Sequence, residues 1–280
     1  MEQLEFAEFK QKAGHLVGID LDSYKSQQMD RRLHSLMSLW EVTSYDEYYR
    51  ILLTNPLKLK EFVDKLTINV SEFFRNSDRF DVLRDRIIPE LLTKDAPLRI
   101  WSAGCSNGAE PYSVAIILRE LTGTRPHYVL GTDVDAQILN KAVLGVYHPN
   151  EVRAVDPDIL EKYFTYDGKA YTLSREIVAD VHFKVHNLLK DDFEKNFDLI
   201  ICRNVVIYFT EQAKNTLYHR FWDSLKNDGY LFVGGTEPLL NSKKFGFETT
   251  ITGFYRKCDK GPEVDSYWEQ IEMLRRRSRE

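Results

Sequence analysis

From Leu98 onward the chain sets short apolar runs between amphipathic stretches, and this alternation limits the possible folds more than any other feature. The runs LRIWSAG (98–104), HYVLGTD (127–133), VHFKVHN (181–187), FDLIICRN (197–204) and GYLFVGG (229–235) read as buried strands. Helical stretches at 110–121, 135–144 and 211–226 separate several of them. Strands joined through helices pair in parallel, and a parallel sheet needs cover on both faces, so the class is α/β. Residues 146–183 break the rhythm. Pro149 and Pro157 precede two short aromatic runs, Tyr163–Gly168 and Ala170–Leu173, which read as an antiparallel insertion.

Ahead of the sheet the texture is helical. Phe6, Phe9 and Ala13 fall on one helix face, and Leu33, Leu36, Met37 and Trp40 repeat the stripe. Ser44 opens a helix, and Asn55-Pro56 punctuates before another at about 57–66. This reading divides the chain into a helical domain (1–75), an α/β domain (76–260, with the insertion at about 146–183) and a C-terminal tail (261–280).

Composition then removes several function classes. With 38 basic against 43 acidic residues the formal charge is −5, which disfavours a nucleic-acid binder that tracks phosphates. No apolar run approaches the roughly 18 residues of a membrane span, so no direct membrane insertion is expected. The acidic, amphipathic start lacks the basic and apolar regions of a signal peptide. Cys105, Cys202 and Cys258 are odd in number and widely spaced, giving neither a disulfide framework nor a C-x-x-C metal clip. The expected compartment is the cytoplasm, and a monomer is expected.

The site chemistry starts where the first strand ends, in Gly104-Cys105-Ser106-Asn107-Gly108-Ala109-Glu110-Pro111. A glycine-bearing turn between strand and helix lets a ligand approach the backbone closely. The spacing is not the G-x-G-x-x-G of dinucleotide binders, and Glu110 would repel a pyrophosphate. A cofactor with a cationic or zwitterionic end suits the loop better. The second strand ends in Asp133, where a carboxylate can take both hydroxyls of a ribose in the crevice of an open α/β sheet. Together these features favour S-adenosylmethionine over NAD. Helix capping is the plainer alternative for this acidic pair, and it suits Asp135 better than Asp133.

Two further stretches carry polar residues among apolar neighbours. In 66–75 these are Asn69, Ser71 and Arg75, with Ser71 alternatively the cap of a helix running to Asp85. Arg203-Asn204, followed by Tyr208, stands at the carboxyl end of a strand, either as a simple strand terminus or in the crevice.

These stretches, TINVSEFFRN, RIWSAGCSNGAEPYSVA, GTDVD, FKVHNLL, FDLIICRNVVIYFT and LFVGGTE, resemble the CheR-type chemotaxis receptor methyltransferases over residues from about 10 to 257. The resemblance implies a Rossmann-like S-adenosylmethionine domain with a small β-subdomain, preceded by a helical domain. It implies transfer of a methyl group to glutamate side chains on the cytoplasmic helices of methyl-accepting chemotaxis receptors, leaving S-adenosylhomocysteine. It places Asn69, Ser71, Arg75, Glu110 and Asp133 at the cofactor, Asn187-Leu188 by the adenine, and Arg203-Asn204 in the same pocket. Arg75 and Tyr208 match the catalytic positions of that family, and Arg31 and Arg32 fall on the helix that docks on receptors. A solvated charged face is the alternative for Lys25, Arg31 and Arg32. The loop departs from the usual S-T-G-E-E-P-Y-S, reading Ser106-Asn107-Gly108-Ala109-Glu110-Pro111-Tyr112-Ser113, and Ser71 stands where Thr is frequent. The resemblance does not extend to the Arg-rich end, Leu274–Arg279, whose plainer reading is a solvated tail.

Overall fold

The computed structural model describes residues 4–262 except 68 and 236; the Arg-rich stretch 274–279 lies outside the described residues. Four helices open the chain: α1 (Phe6–Val17), α2 (Ser26–Leu39), α3 (Tyr45–Thr54) and α4 (Pro56–Leu66). Their start signals are local. The Ser44 hydroxyl accepts the Glu47 N–H at 3.3 Å, and Asn55 Oδ1 accepts those of Leu57 and Lys58 ahead of Pro56. Phe9, Leu33, Leu36, Tyr48 and Phe62 close a core of their own, at most 2% exposed.

A helical run follows, α5 (Ser77–Val82) and α6 (Ile88–Leu92) joined by a π-helical turn at Leu83–Ile87. The sheet begins at β1 (Arg99–Ala103) and continues through α7 (Ala109–Thr122), β2 (Tyr128–Asp133) and α8 (Ala136–Leu144). The insertion contains β3 (Val146–Tyr147), α9 (Pro157–Tyr163), β4 (Phe164–Tyr166), β5 (Tyr171–Leu173) and α10 (Arg175–Ala179). Then come β6 (Val181–Val185), β7 (Phe197–Cys202), α11 (Glu211–Ser224), β8 (Leu225–Val233), β9 (Phe247–Ile251) and β10 (Phe254–Lys257).

The large sheet has the order β6-β2-β1-β7-β8-β10-β9. Its first five strands are mutually parallel, and β10 runs antiparallel to both its neighbours. Successive residues of a strand point to opposite faces. Accordingly Ile100, Leu199, Ile201 and Phe232 pack with α7 on one side, and Trp101, Ile200, Cys202 and Leu231 pack with α11 on the other. This mostly parallel sheet with helices on both faces is the Rossmann-like architecture that the resemblance implies. β3, β5 and β4 form a separate antiparallel sheet, as the interrupted rhythm of 146–183 implies, although the segment also holds two helices.

Two local expectations change. The helix read over 211–226 ends at Ser224, and Leu225 begins β8. Ser71 caps no helix. Residues 71–76 stay non-helical because their backbone donors go elsewhere: Phe73 N–H to the Glu151 carbonyl at 2.8 Å and Phe74 N–H to the Ser113 hydroxyl at 3.0 Å. The helix starts at Ser77, after a left-handed Asn76.

Candidate active site

A cleft lies at the carboxyl edge of β1, β2, β6 and β7, the place where open α/β sheets bind ligands. Its floor is the β1–α7 turn, which needs three left-handed residues, Gly104 (φ 81°), Ser106 (φ 51°) and Gly108 (φ 82°). A Cβ on Gly104 would stand 2.5 Å from Val205, so only glycine allows the two turns to meet. The roof is Thr67, residues 69–72 and Arg75, together with Ile19, Tyr24 and Met29 of the helical part.

Asn69, Ser71, Arg75, Glu110, Asp133, Asn187, Leu188, Arg203, Asn204 and Tyr208 all line this one cleft. Arg31 and Arg32 do not. Arg31 is exposed on α2. Arg32 turns inward, donating to the Leu66 carbonyl at 2.8 Å and standing 5.0 Å from the centre of the Tyr208 ring.

Opposite charges meet at the centre. Arg203 Nη1 lies 3.2 Å from Glu110 Oε2, with side chains 2% and 12% exposed. Glu110 Oε1 accepts the Ser102 hydroxyl at 2.8 Å. Arg203 Nη2 donates at 2.8 Å to both the Arg75 carbonyl and Asn76 Oδ1, which fixes the end of the roof segment. The rings of Phe80 and Phe232 flank its guanidinium. Asp133 Oδ2 accepts the Ser106 N–H at 2.8 Å, and its Oδ1 accepts the Asp135 N–H at 3.1 Å. Burial pushes the Asp133 carboxyl above its ordinary range, opposed by those backbone donors. Asp135 is the α8 cap, as the capping alternative has it, and its other oxygen accepts Asn69 Nδ2 at 2.7 Å. Asn69 therefore fastens the roof to the α8 N-terminus. Asn187 reaches across to the Gly18 carbonyl at 3.0 Å. Arg75 Nη1 donates to the Val70 carbonyl at 3.2 Å and stays half-exposed at the mouth.

Three buried atoms in this lining have no hydrogen-bond partner in the protein: Ser106 Oγ, His186 Nδ1 and Arg203 Nε. Buried polar groups are seldom left so, and a polar ligand would satisfy them. A carboxylate also has more acceptor capacity than the one backbone bond each Asp133 oxygen makes, so ribose hydroxyls remain acceptable there. The donor and acceptor set fits an amino-acid-bearing nucleoside.

Family comparison decides the class. A family model described as CheR methyltransferase, SAM binding domain, matches residues 69–253, and one described as CheR methyltransferase, all-alpha domain, matches residues 4–67. The chain belongs to the CheR methyltransferase family. It is 42% identical over 242 residues to the chemotaxis protein methyltransferase of Listeria innocua, covering 86% of this chain and 92% of that one. It is 36% identical over 254 residues to that of Borreliella burgdorferi, covering 86% and 89%. It is 31% identical over 255 residues to that of Escherichia coli K12, covering 87% of each. This CheR-family chain is a methyltransferase that uses S-adenosylmethionine, and its methylation serves chemotaxis.

Several residues in or beside the cleft are not singled out by the sequence. Tyr24, bridged to Phe209 just before α2, and Met29 of α2 reach the cleft from the helical part and fall outside the apolar stripes read there. His186 lines it beside Asn187, and burial holds its imidazole below the ordinary value and so neutral at pH 7. Glu237, in a stretch quoted for the family resemblance, turns out to grip the turn that follows β7.

Proposed function

We propose that this chain transfers the methyl group of S-adenosylmethionine to glutamate side chains on the cytoplasmic helices of chemotaxis receptors. The observation that carries this reading is the grouping of Arg75 and Tyr208 with Glu110, Asp133 and Arg203 in one cleft whose mouth remains open. The names of its relatives, chemotaxis protein methyltransferases, support a chemoreceptor as acceptor. Among the described residues no helix is long and apolar enough to cross a membrane.

When bound, S-adenosylmethionine supplies an electrophilic methyl group on a sulfonium. In this reading Asp133 accepts the ribose hydroxyls, Asn187 and Leu188 border the adenine, and Glu110 and Arg203 hold the charged amino-acid end. Asn69 and Ser71 shape the roof above it. A glutamate side chain with a pKa of roughly 4.3 is already ionised at neutral pH, so the acceptor needs no general base. The residues' task is alignment. Arg75, free to swing from a single bond to Val70, steers the acceptor carboxylate, and Tyr208 orients it by a hydrogen bond. A modest grip by Arg75 is required, because tight binding of the ground state would slow transfer. Charge is neutralised as the methyl moves, which the half-buried mouth favours. Arg31, exposed on α2, contacts the acidic receptor helix.

Incubation with radiolabelled cofactor and receptor-bearing membranes tests this. A glutamyl methyl ester releases methanol in alkali, whereas an N-methyl product retains its label and would mean another acceptor.

A further inference from the structure

The turn that carries Arg203, Asn204 and Tyr208 is held by a buried carboxylate that no step above uses. Glu237 follows β8 and is 5% exposed. Its Oε2 accepts the Asn204 N–H at 2.6 Å, and its Oε1 accepts the Ile207 N–H at 3.0 Å. One carboxylate thus spans two donors three residues apart. Charge-assisted bonds of this kind are stronger than neutral ones and directional, so the span sets the shape of the turn. That shape includes a left-handed Asn204 (φ 59°), a conformation that persists only where surrounding contacts dictate it. The fit behind the carboxylate is close. A Cβ on Gly234 would stand 2.7 Å from Glu237 Oε2 and 3.3 Å from the Asn204 nitrogen.

We propose that Glu237 is a positioning residue for methyl transfer, gripping the Asn204 and Ile207 backbone so that Arg203, Asn204 and Tyr208 face the cleft. This rests on the placement of those three residues in the site argued above. Glu237 itself does not line the cleft.

The test uses the full chain with Glu237→Gln, Glu237→Asp and Gly234→Ala. Gln keeps the shape but turns an amide donor toward one of the two N–H groups. Asp keeps the charge and falls short by one methylene. Ala at 234 pushes on Oε2 and, less closely, on the Asn204 nitrogen, so it strains the grip between the two. For each variant, single-turnover methylation of receptor membranes at saturating cofactor is normalised to the folded fraction. S-adenosylhomocysteine affinity is measured in parallel by calorimetry.

Displacement of reacting groups by about 1 Å costs on the order of 100-fold in rate. Glu237→Gln should therefore lose at least about 10-fold in normalised rate, with the half-saturating receptor concentration changed less than about 3-fold. Gly234→Ala should move the same way, and Glu237→Asp should recover part of the loss. S-adenosylhomocysteine should bind roughly 3- to 10-fold more weakly to Glu237→Gln, since Arg203 and Asn204 move with the turn. A role confined to holding the fold would lower the melting temperature and leave the normalised rate and the affinity within about 2-fold of wild type, and that result overturns the proposal. Should Glu237→Gln fail to fold, Gly234→Ala decides by the same criteria. Should the wild-type chain deposit no label on receptor membranes, the acceptor assignment fails separately. The S-adenosylhomocysteine arm then still decides for or against Glu237.

Discussion

The Arg32 guanidinium stands 5.0 Å from the centre of the Tyr208 ring while it donates to the carbonyl of Leu66, the last residue of α4. One side chain of the helical part thereby touches both the residue assigned to orient the acceptor and the start of the roof segment. The main chain adds to the tie: Lys25 N–H donates to the Tyr208 carbonyl at 2.8 Å, and Thr210 N–H to that of Ser23 at 2.9 Å. Arg32→Ala should lower single-turnover rate about 10-fold by loosening Tyr208, with S-adenosylhomocysteine affinity nearly unchanged. Arg32→Lys should recover little, because an ammonium lacks the planar face that stacks on the ring. Arg31→Glu, on the exposed neighbour, should instead raise the half-saturating receptor concentration, more at low salt than at high, and leave the saturated rate alone.

Asp133 gives the cofactor site a pH dependence of definite sign. Burial raises its pKa above the ordinary 3.8. Ribose hydroxyls donate to the ionised form, so S-adenosylhomocysteine affinity should be full well above that raised pKa and fall as pH drops through it. The contribution to folding runs the other way. It is fully present below 3.8 and is lost as pH rises through the raised folded value. Calorimetry across the acid range should show the limb in wild type and a flat profile in Asp133→Asn. At neutral pH Asp133→Ala should cost about 1.5–3 kcal/mol of ligand affinity, the scale of a bond to a charged group. Unchanged affinity would make Asp133 merely a brace for Ser106 and Asp135.

Arg203 and Glu110 form a pair in which neither partner tolerates loss of the other. With exposures of 2% and 12%, removing one leaves a buried, uncompensated charge. Arg203→Met should lose about 3 kcal/mol or more of stability in urea unfolding. The double variant Arg203→Met with Glu110→Gln should recover a substantial part of that loss, because no unpaired charge then remains.

Tyr208 and Arg75 should separate chemistry from cofactor binding. Tyr208→Phe keeps the ring and removes the hydroxyl, so the rate should fall on the order of 100-fold with S-adenosylhomocysteine affinity intact. Arg75 lies nearer the cofactor wall, its carbonyl bonded to Arg203. Arg75→Ala should therefore lower the rate strongly and the affinity moderately, as read by single-turnover assay alongside calorimetry.

The central strands and the glycine-bearing turn are legible because burial on both faces of a parallel sheet leaves a signature in composition, and β1, β2 and β7 each lie within the apolar runs that announce them, whereas β6 is a largely exposed edge strand. The grouping of Glu110, Asp133 and Arg203 was legible for the same reason, since all three stand near the carboxyl ends of those strands. What escaped depends on distant partners. Ser71 has the chemistry of a helix cap, but the N–H groups of Phe73 and Phe74 are taken by Glu151 and Ser113, and no local pattern reveals that. Arg32 looks like any surface arginine on α2 until Leu66, 34 residues on, supplies its acceptor. Glu237 stands in LFVGGTE, which the sequence offers only for the family resemblance, and nothing local reveals that it is buried against a turn 30 residues earlier in the chain.

In the function proposed above, this cleft methylates a carboxylate on a chemotaxis receptor. Alkaline release of volatile radiolabel from receptor membranes, after incubation with the chain and labelled S-adenosylmethionine, tests it most directly. Methanol should appear in proportion to the enzyme-dependent label, strongly reduced by Asp133→Ala at sub-saturating cofactor and by Tyr208→Phe. Label that resists alkali, or ester that forms equally well with both variants, would contradict it.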